Sequence, residues 1–283
     1  MVVNAEPLLP TSIGPRPPVA LTVAGSDSGG GAGIVADLKT FEAHGVWGTC
    51  ALVAVTAQNT LGVQAFETLS AGLVAEQVRS VAGDIGIDAA KTGMLATAEL
   101  VAAVAAALRE AASPPLVVDP VFVSKHGDTL LADDAVSALR EQLLPMATVI
   151  TPNLPEASAL TGVDIVDRAG MEEAARRLAG EGARVVLVKG GHLEGDESPD
   201  LVWADDRAAW LEGPRIPGRH THGTGCTLSA AITAELARGM EPADACVAAK
   251  AFVTRAIAAG VALGAGVGPV NPGWERQAAA LTG

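Results

Sequence analysis

A chain of 283 residues with a formal net charge of −13 has the length of one large α/β domain. Its acidity and the lack of any Lys/Arg run argue against nucleic acid, whose groove-binding partners need clustered cations to displace counterions. Hydrophobic residues make up 49% of the chain, aromatics 3%, and Tyr is absent, so Ala, Val and Leu must build the core.

Residues 1–18 contain prolines and no apolar core of signal-peptide length, and read as a flexible tail before a single domain over 19–283. "VALTVAG" (19–25) predicts a buried strand, followed by the glycine-rich turn "GSDSGGGAG" and a helix over 34–44. "GTCALVAVTAQ" (48–58) predicts a second strand, with further strands at 115–121, 147–153 and 184–191. Helical patterns fall at 97–112, 133–143, 155–161 and 170–181. The strands are apolar throughout rather than alternating, which implies cover on both faces and a mainly parallel sheet flanked by helices. Residues 200–217 predict an antiparallel hairpin at a sheet edge, and helices follow at 226–238 and 243–261. The apolar run at 99–113 is interrupted by Arg109 and Glu110 and is too short for a bilayer. No membrane attachment is therefore expected, and Cys50, Cys226 and Cys246, which have no paired spacing, suggest a reduced, cytoplasmic setting.

Polar residues gather at the predicted carboxyl ends of the strands, where open α/β sheets collect ligands. They are Ser26 and Asp27, Gln58 and Asn59, Asp119, Asn153 and Glu156, and Lys189. "GTGC" (223–226) opens a helix with converging backbone N–H groups, an arrangement suited to an anion and to charge on a phosphoryl group in transfer. A tight turn before a buried helix is the plainer reading. Cys226 in that first turn is expected to be more acidic than a free thiol, and either accepts a proton or lines the pocket. His220, His222 and Cys226 also have a conceivable metal spacing without an evident fourth ligand. Cys50 and Cys246 read as core.

The glycine-rich loop is not followed by the acidic residue a dinucleotide site needs, because the next strand ends in "TAQN". It covers a small substrate instead, with Asp37 one turn into the helix, or Asp37 is an exposed helix residue. Asn153 and Glu156 face one point, suiting magnesium held partly through water, or they form a capping box. Lys189 precedes two glycines and either meets a phosphate or is an ordinary surface lysine. Asp119 ends a central strand, where a carboxylate needs compensation. Gln58 offers a donor and an acceptor to a nitrogen heterocycle, and Met94 offers a soft apolar wall or core packing.

In order, "LTVAGSDSGGGAGIVADLKTF", "AQNTLGV", "KTGML", "VVDPV", "TPNLPEA", "LVKGGH", "SPDLVW" and "THGTGCTLSAA" resemble the hydroxymethylpyrimidine/phosphomethylpyrimidine kinases of thiamin biosynthesis. These belong to the ribokinase-like superfamily, and the resemblance covers about residues 20–274. It implies a three-layer αβα fold with a mostly parallel central sheet, usually a homodimer. It implies that ATP, with magnesium, phosphorylates 4-amino-5-hydroxymethyl-2-methylpyrimidine on its hydroxymethyl oxygen, and then the monophosphate to the diphosphate. By the same resemblance, Gln58 hydrogen-bonds the pyrimidine, and Gly25, Ala32, Asp37, Met94 and Val121 line its pocket. Asp119, Glu156, Lys189 and Lys250 belong to the phosphate and magnesium environment, and Gly223, Thr224, Gly225 and Cys226 form the anion hole.

Many sugar kinases of the superfamily carry Asp where this chain has Cys226, which points to the pyrimidine branch. Thr56 stands where some relatives place Val near the ring. Two alternatives accompany this reading: a pyridoxine or pyridoxal kinase on the same fold, and a non-catalytic pyrimidine-binding protein. The glycines after Asp27 and the stretch "SKHGD" (124–128) are the expected flaps.

Overall fold

Val19–Ala24 (β1) is buried along its whole length, and its alternate residues enter different cores. Leu21 and Val23 face one layer of helices, while Ala20 faces the other. The same alternation runs through Ala89–Thr92 (β5), Leu116–Val118 (β6), Val149–Ile150 (β7) and Val185–Val188 (β8). Val117, Val149, Val185 and Leu187 point one way, and Leu116, Val118, Ile150, Val186 and Val188 the other. A period of two in pointing, combined with apolar residues at every position, produces a sheet covered on both faces.

The structure, a computed structural model, describes residues 16–121, 133–193 and 195–276. The expected tail is outside the described residues up to residue 15, as is the expected flap at 124–128. With Trp47–Leu52 (β2), Asp200–Ala204 (β9) and Arg207–Leu211 (β10), the strands form an eight-stranded sheet ordered β10-β9-β8-β7-β6-β5-β1-β2. All adjacent pairs are parallel except those made by β9, which runs antiparallel to both β8 and β10. The hairpin at the sheet edge is therefore where the sequence placed it.

One face of the sheet is covered by Gly33–Ala43 (α1), Thr224–Ala237 (α7) and Pro242–Ala258 (α8). The other carries Ala71–Asp84 (α2), Ala98–Glu110 (α3), Asp133–Gln142 (α4), Leu154–Thr161 (α5) and Arg168–Gly180 (α6). This is the three-layer αβα arrangement. Several helices begin at a side-chain cap: Ser70, Thr97 and Asp167 accept from the backbone N–H of Leu73, Leu100 and Gly170. Helix α7 has no such cap, since Gly223 stands at its N-cap. Thr224 N–H turns back to Thr221 O at 3.4 Å, and the N–H groups that follow in the first turn face what lies beyond the helix.

The single strand expected over 48–58 is two strands. Val53 N–H bonds to Ala24 O, and Leu69 N–H returns to Val53 O. Beyond Val53 the chain leaves the main sheet and pairs Ala54–Asn59 (β3) with Gly62–Thr68 (β4) in a separate antiparallel hairpin. Thus Gln58 arrives from this hairpin rather than from the end of a central strand. Elements β4, α2 and β5 were not foreseen, and the strands expected at 115–121 and 147–153 shrink to β6 and β7.

Candidate active site

The carboxyl ends of β1, β5, β6, β7 and β8 open onto a cavity of about 940 Å³ that also meets β3 and the first turn of α7. This lies at the upper end of the roughly 300–1,000 Å³ usual for ligand pockets. Gly25, Ala32, Gln58, Met94, Asp119, Val121, Asn153, Glu156, Lys189, Gly223, Thr224, Gly225, Cys226 and Lys250 all line it. Asp37 does not; it is fully buried behind the wall.

The turn into α7 is built by close backbone approach. Gly223 has φ 78°, and a Cβ there would collide with the carbonyl of Gly31 in the loop after β1. Gly33 has φ 56°, and a Cβ there would strike Gly25 O. Left-handed backbone and lack of space together require glycine at both positions. The glycine-rich loop and the α7 turn are consequently pressed against one another.

Asp27, only 2% exposed, organises this junction. Its carboxylate accepts from the N–H groups of Gly29 (2.8 Å), Gly31 (3.0 Å) and Ala32 (2.9 Å), and lies 2.9 Å from His222 Nε2. Burial works against its charge, but His222 and the backbone N–H groups outweigh burial and hold the carboxyl below its ordinary value. His220 Nδ1 accepts from Gly268 N–H at 3.1 Å. Among the described residues no group of three or more His, Cys, Asp or Glu side chains is arranged to hold a metal, so the His220–His222–Cys226 spacing forms no metal centre there.

Asp119, at the end of β6, is compensated on every side. Oδ1 accepts from Thr151 Oγ1 (3.0 Å) and Lys189 Nζ (3.1 Å), and Oδ2 from Ser229 Oγ (3.2 Å). Burial pushes its carboxyl up, but Lys189, Lys91 and these hydrogen bonds reverse the shift and bring it below the ordinary value. Glu156 lies 3.7 Å from Lys189 Nζ. There, burial and the neighbouring Asp119 charge prevail over Lys189, and the carboxyl is raised to about 7. The two carboxyls around one lysine are thereby driven apart. Burial disfavours the Lys189 ammonium, but Asp119 and Glu156 more than restore it and raise its pKa. Asn153 and Glu156 also form the capping box of α5, with Asn153 N–H donating to Glu156 Oε2 (2.7 Å) and Glu156 N–H to Asn153 Oδ1 (2.9 Å). Lys250 Nζ donates to Ser198 O and Asp200 Oδ2, both at 2.8 Å.

Beneath the α7 turn lies a buried ion pair that sequence reading missed in part. Lys91 Nζ donates to Asp37 Oδ1 at 2.8 Å, and Thr22 Oγ1 donates to Asp37 Oδ2 at 2.7 Å. Both charged side chains are fully buried, yet Lys91 also borders the cavity. Burial raises the Asp37 carboxyl, while at Lys91 the acidic neighbours outweigh burial and raise the ammonium. The signal for Lys91 was a lysine within the apolar "DAAKTGML", where an unpaired charge is untenable.

Cys226 departs from expectation. Burial pushes its thiol up to about 11, with Lys91 pulling the other way and Asp37 and Asp119 adding to the rise. The field of the helix does not overcome desolvation and these carboxylates, so the thiol is protonated at neutral pH. Cys246 is core as expected, while Cys50 is half-buried on β2.

On the β3 side of the cavity, Gln58 is flanked by Thr56 and His222. Gln58 Oε1 lies 3.4 Å from Thr56 Oγ1, and Gln58 Nε2 lies 3.4 Å from His222 Nε2. Met94 packs against Gly25, where a Cβ would lie 2.6 Å from the Met94 methyl. At the opposite end, under β9 and α8, the cavity wall is Pro214, Ile216, Val253 and Ile257 with Lys250 and Arg215. The site can thus seat a flat ring at one end, an apolar-faced group at the other, and anionic groups between them over Lys189, Lys250 and the open N–H groups of α7.

A family profile described as phosphomethylpyrimidine kinase matches residues 27–271. The hydroxymethylpyrimidine/phosphomethylpyrimidine kinase of Streptomyces coelicolor is 54% identical over 258 residues, covering 91% of this chain and 95% of that protein. An ADP complex of Bacillus subtilis pyridoxal kinase superposes with a TM-score of 0.86 at 42% identity, covering 92% of this chain and 99% of the other. The phosphomethylpyrimidine kinase of Clostridium difficile superposes with a TM-score of 0.75 at 41% identity, covering 84% and 99%.

Proposed function

Because the chain belongs to the phosphomethylpyrimidine kinase family, we propose that it transfers phosphate from ATP to 4-amino-5-hydroxymethyl-2-methylpyrimidine and then to the resulting monophosphate. Its place is thiamin biosynthesis. The observation that carries this reading is the cavity itself, where the α7 turn, Lys189 and Asp119 lie between the Gln58 end and the apolar end under α8.

In the first transfer the hydroxymethyl oxygen bonds to the terminal phosphorus as the bond from that phosphorus to the bridging oxygen breaks, releasing ADP. Charge on the moving group is met by Lys189, by Lys250 and by the N–H groups of the Gly223–Cys226 turn. Cys226, being protonated at rest, takes up no proton before the reaction. Its role is to receive the hydroxyl proton late, once the oxygen has turned acidic on bonding to phosphorus, while its own proton passes to the transferred phosphoryl group. In the second transfer the acceptor oxygen is already a phosphate, so that relay is dispensable.

Asp119 and Glu156 lie beside Lys189, with Asn153 hydrogen-bonded to Glu156, and without a protein cage they would hold a magnesium ion largely through water and nucleotide phosphates. The ion supplies charge neutralisation on the phosphates. Gly25, Ala32, Met94 and Val121 enclose the ring, and Asp37 acts from behind the wall through Lys91.

The exposed apolar Val55, Leu61 and Phe66 on the β3–β4 hairpin support a homodimer. A cytoplasmic setting is also part of the proposal and rests on the unpaired cysteines. Among the described residues, no helix is long and apolar enough to cross a membrane.

Purified protein with ATP, magnesium and the pyrimidine should yield monophosphate first and diphosphate later on anion-exchange chromatography. ADP release without a phosphorylated pyrimidine contradicts the proposal. A second reading, phosphorylation of pyridoxal, is favoured by the likeness to pyridoxal kinase structures; a higher kcat/KM for pyridoxal than for the pyrimidine would establish it.

A further inference from the structure

Lys189 and Lys250, the two cations that meet the phosphates in the reading above, come from distant parts of the chain: Lys189 follows β8, and Lys250 lies in α8. One carboxylate joins them. Val188 pairs with Leu201 in the antiparallel β8–β9 ladder, so Asp200, the first residue of β9, falls opposite the end of β8. Its Oδ1 accepts from the N–H of Gly190, the residue after Lys189, at 2.9 Å. Its Oδ2 accepts from Lys250 Nζ at 2.8 Å, and the same ammonium donates to Ser198 O at 2.8 Å. Asp200 is 4% exposed, while the side chains of Lys189 and Lys250 each keep 16%. The junction has no slack. A Cβ on Gly190 would collide with Pro199 O, so the backbone before Asp200 rests directly on the backbone after Lys189.

We propose that Asp200 is a positioning residue for phosphoryl transfer: by bridging Gly190 and Lys250 it fixes the spacing of the two cations, and it keeps hold of Lys250 while that ammonium meets the nucleotide phosphates. The inference rests on the kinase reading above and deepens it. An ammonium has three N–H bonds. Among the described residues Ser198 O and Asp200 take two of those of Lys250, which leaves one for the cavity that both lysines line. Lys250 is therefore aimed before a ligand arrives, and its long side chain needs little further ordering on binding. Lys189 is fixed from its own side, its N–H donating to Pro152 O at 2.8 Å and its ammonium to Asp119 at 3.1 Å. Buried and occupied by two donors, the Asp200 carboxylate offers little repulsion to an incoming phosphate. This clasp acts on the nucleotide and not on the acceptor, so the two transfers depend on it alike, unlike their dependence on Cys226.

The test is a double-mutant cycle of Asp200→Asn and Lys250→Met, read by kcat and KM for both transfers and by calorimetry of magnesium-ADP binding. Asp200→Asn keeps the size of the side chain and one acceptor, which still serves Gly190 but no longer holds Lys250. It should lower kcat by about thirtyfold in the first and second transfers equally, with KM for the pyrimidine unchanged. Lys250→Met should lower kcat at least as far, and the double variant should be no more than about threefold worse than Lys250→Met alone. Losses that multiply, or a wild-type kcat in Asp200→Asn, overturn the inference. Magnesium-ADP should bind Asp200→Asn about fivefold more weakly. Unchanged or tighter binding also overturns the inference, since it is the result expected of a lysine that must first leave its carboxylate. A readout that needs no variant is a crystal structure of wild-type protein with magnesium-ADP, in which Lys250 Nζ should hydrogen-bond Asp200 and a phosphate together; separation from Asp200 contradicts the clasp. Wild-type protein that leaves the pyrimidine unphosphorylated contradicts the functional reading, while the ADP measurements judge the clasp without an acceptor.

Discussion

Glu156 and Cys226 show how one small volume can move two ionisable groups away from their usual behaviour. Glu156 retains its proton in the folded protein to a pH of about 7, against 4.5 for the ordinary side chain. The folded state thus binds that proton more tightly than the unfolded chain. The associated stability is fully present below pH 4.5 and is lost as pH rises through about 7. Glu156→Gln stays neutral and keeps an amide in the α5 capping box. Relative to this variant, wild-type protein should lose about 3 kcal/mol between pH 4.5 and pH 8 in urea unfolding. A pH-independent difference would mean that Glu156 ionises normally.

At Cys226, the thiol pushed up to about 11 keeps its proton through the neutral range, the form that the proposed relay uses. Cys226→Ala should slow the first phosphorylation by about a hundredfold and the second by much less. Equal losses in both steps would make Cys226 an element of the anion hole and not a proton carrier. The identity of these residues was legible in the sequence because each stands in a motif at a strand or helix end. Their protonation was not, because the direction of a shift depends on burial and on which charges converge from distant segments. Lys91 is the clearest case: its partner Asp37 lies 54 positions away.

Among the elements, α7 depends most on glycine. Gly223→Ala places a methyl group against Gly31 O in left-handed backbone, so it should either displace the glycine-rich loop or prevent the turn from forming. A loss of activity of about a hundredfold or more is expected. Gly225→Ala meets Lys189 Nζ at 3.4 Å and Asp119 Oδ2 at 3.8 Å, contacts that small adjustments accommodate. It should retain far more activity, and similar losses in the two variants would argue against the close approach at Gly223.

The long helices and the edge hairpin were readable from periodicity and turn residues. The break at Val53 was not, because an unbroken apolar run carries no Gly or Pro to mark where the chain leaves one sheet for another. Strand β5 was hidden for a related reason, being four residues of Ala, Ala, Lys and Thr whose extended form is set by pairing with β1 and β6.

For the whole molecule, the sheet order places β1 and β5 beside one end of the cavity and β8 and β9 beside the other. In the proposed reading, the ring and the nucleotide approach along one edge and meet at α7. This central claim is tested most directly by a crystal structure with the hydroxymethylpyrimidine and a nonhydrolysable ATP analogue bound together. The hydroxymethyl oxygen should lie between Cys226 Sγ and the terminal phosphorus, in line with the bond to be broken, with the ring against Gln58. A complex in which the ring lies away from Gln58 and both ligands lie far from the α7 turn would contradict the account.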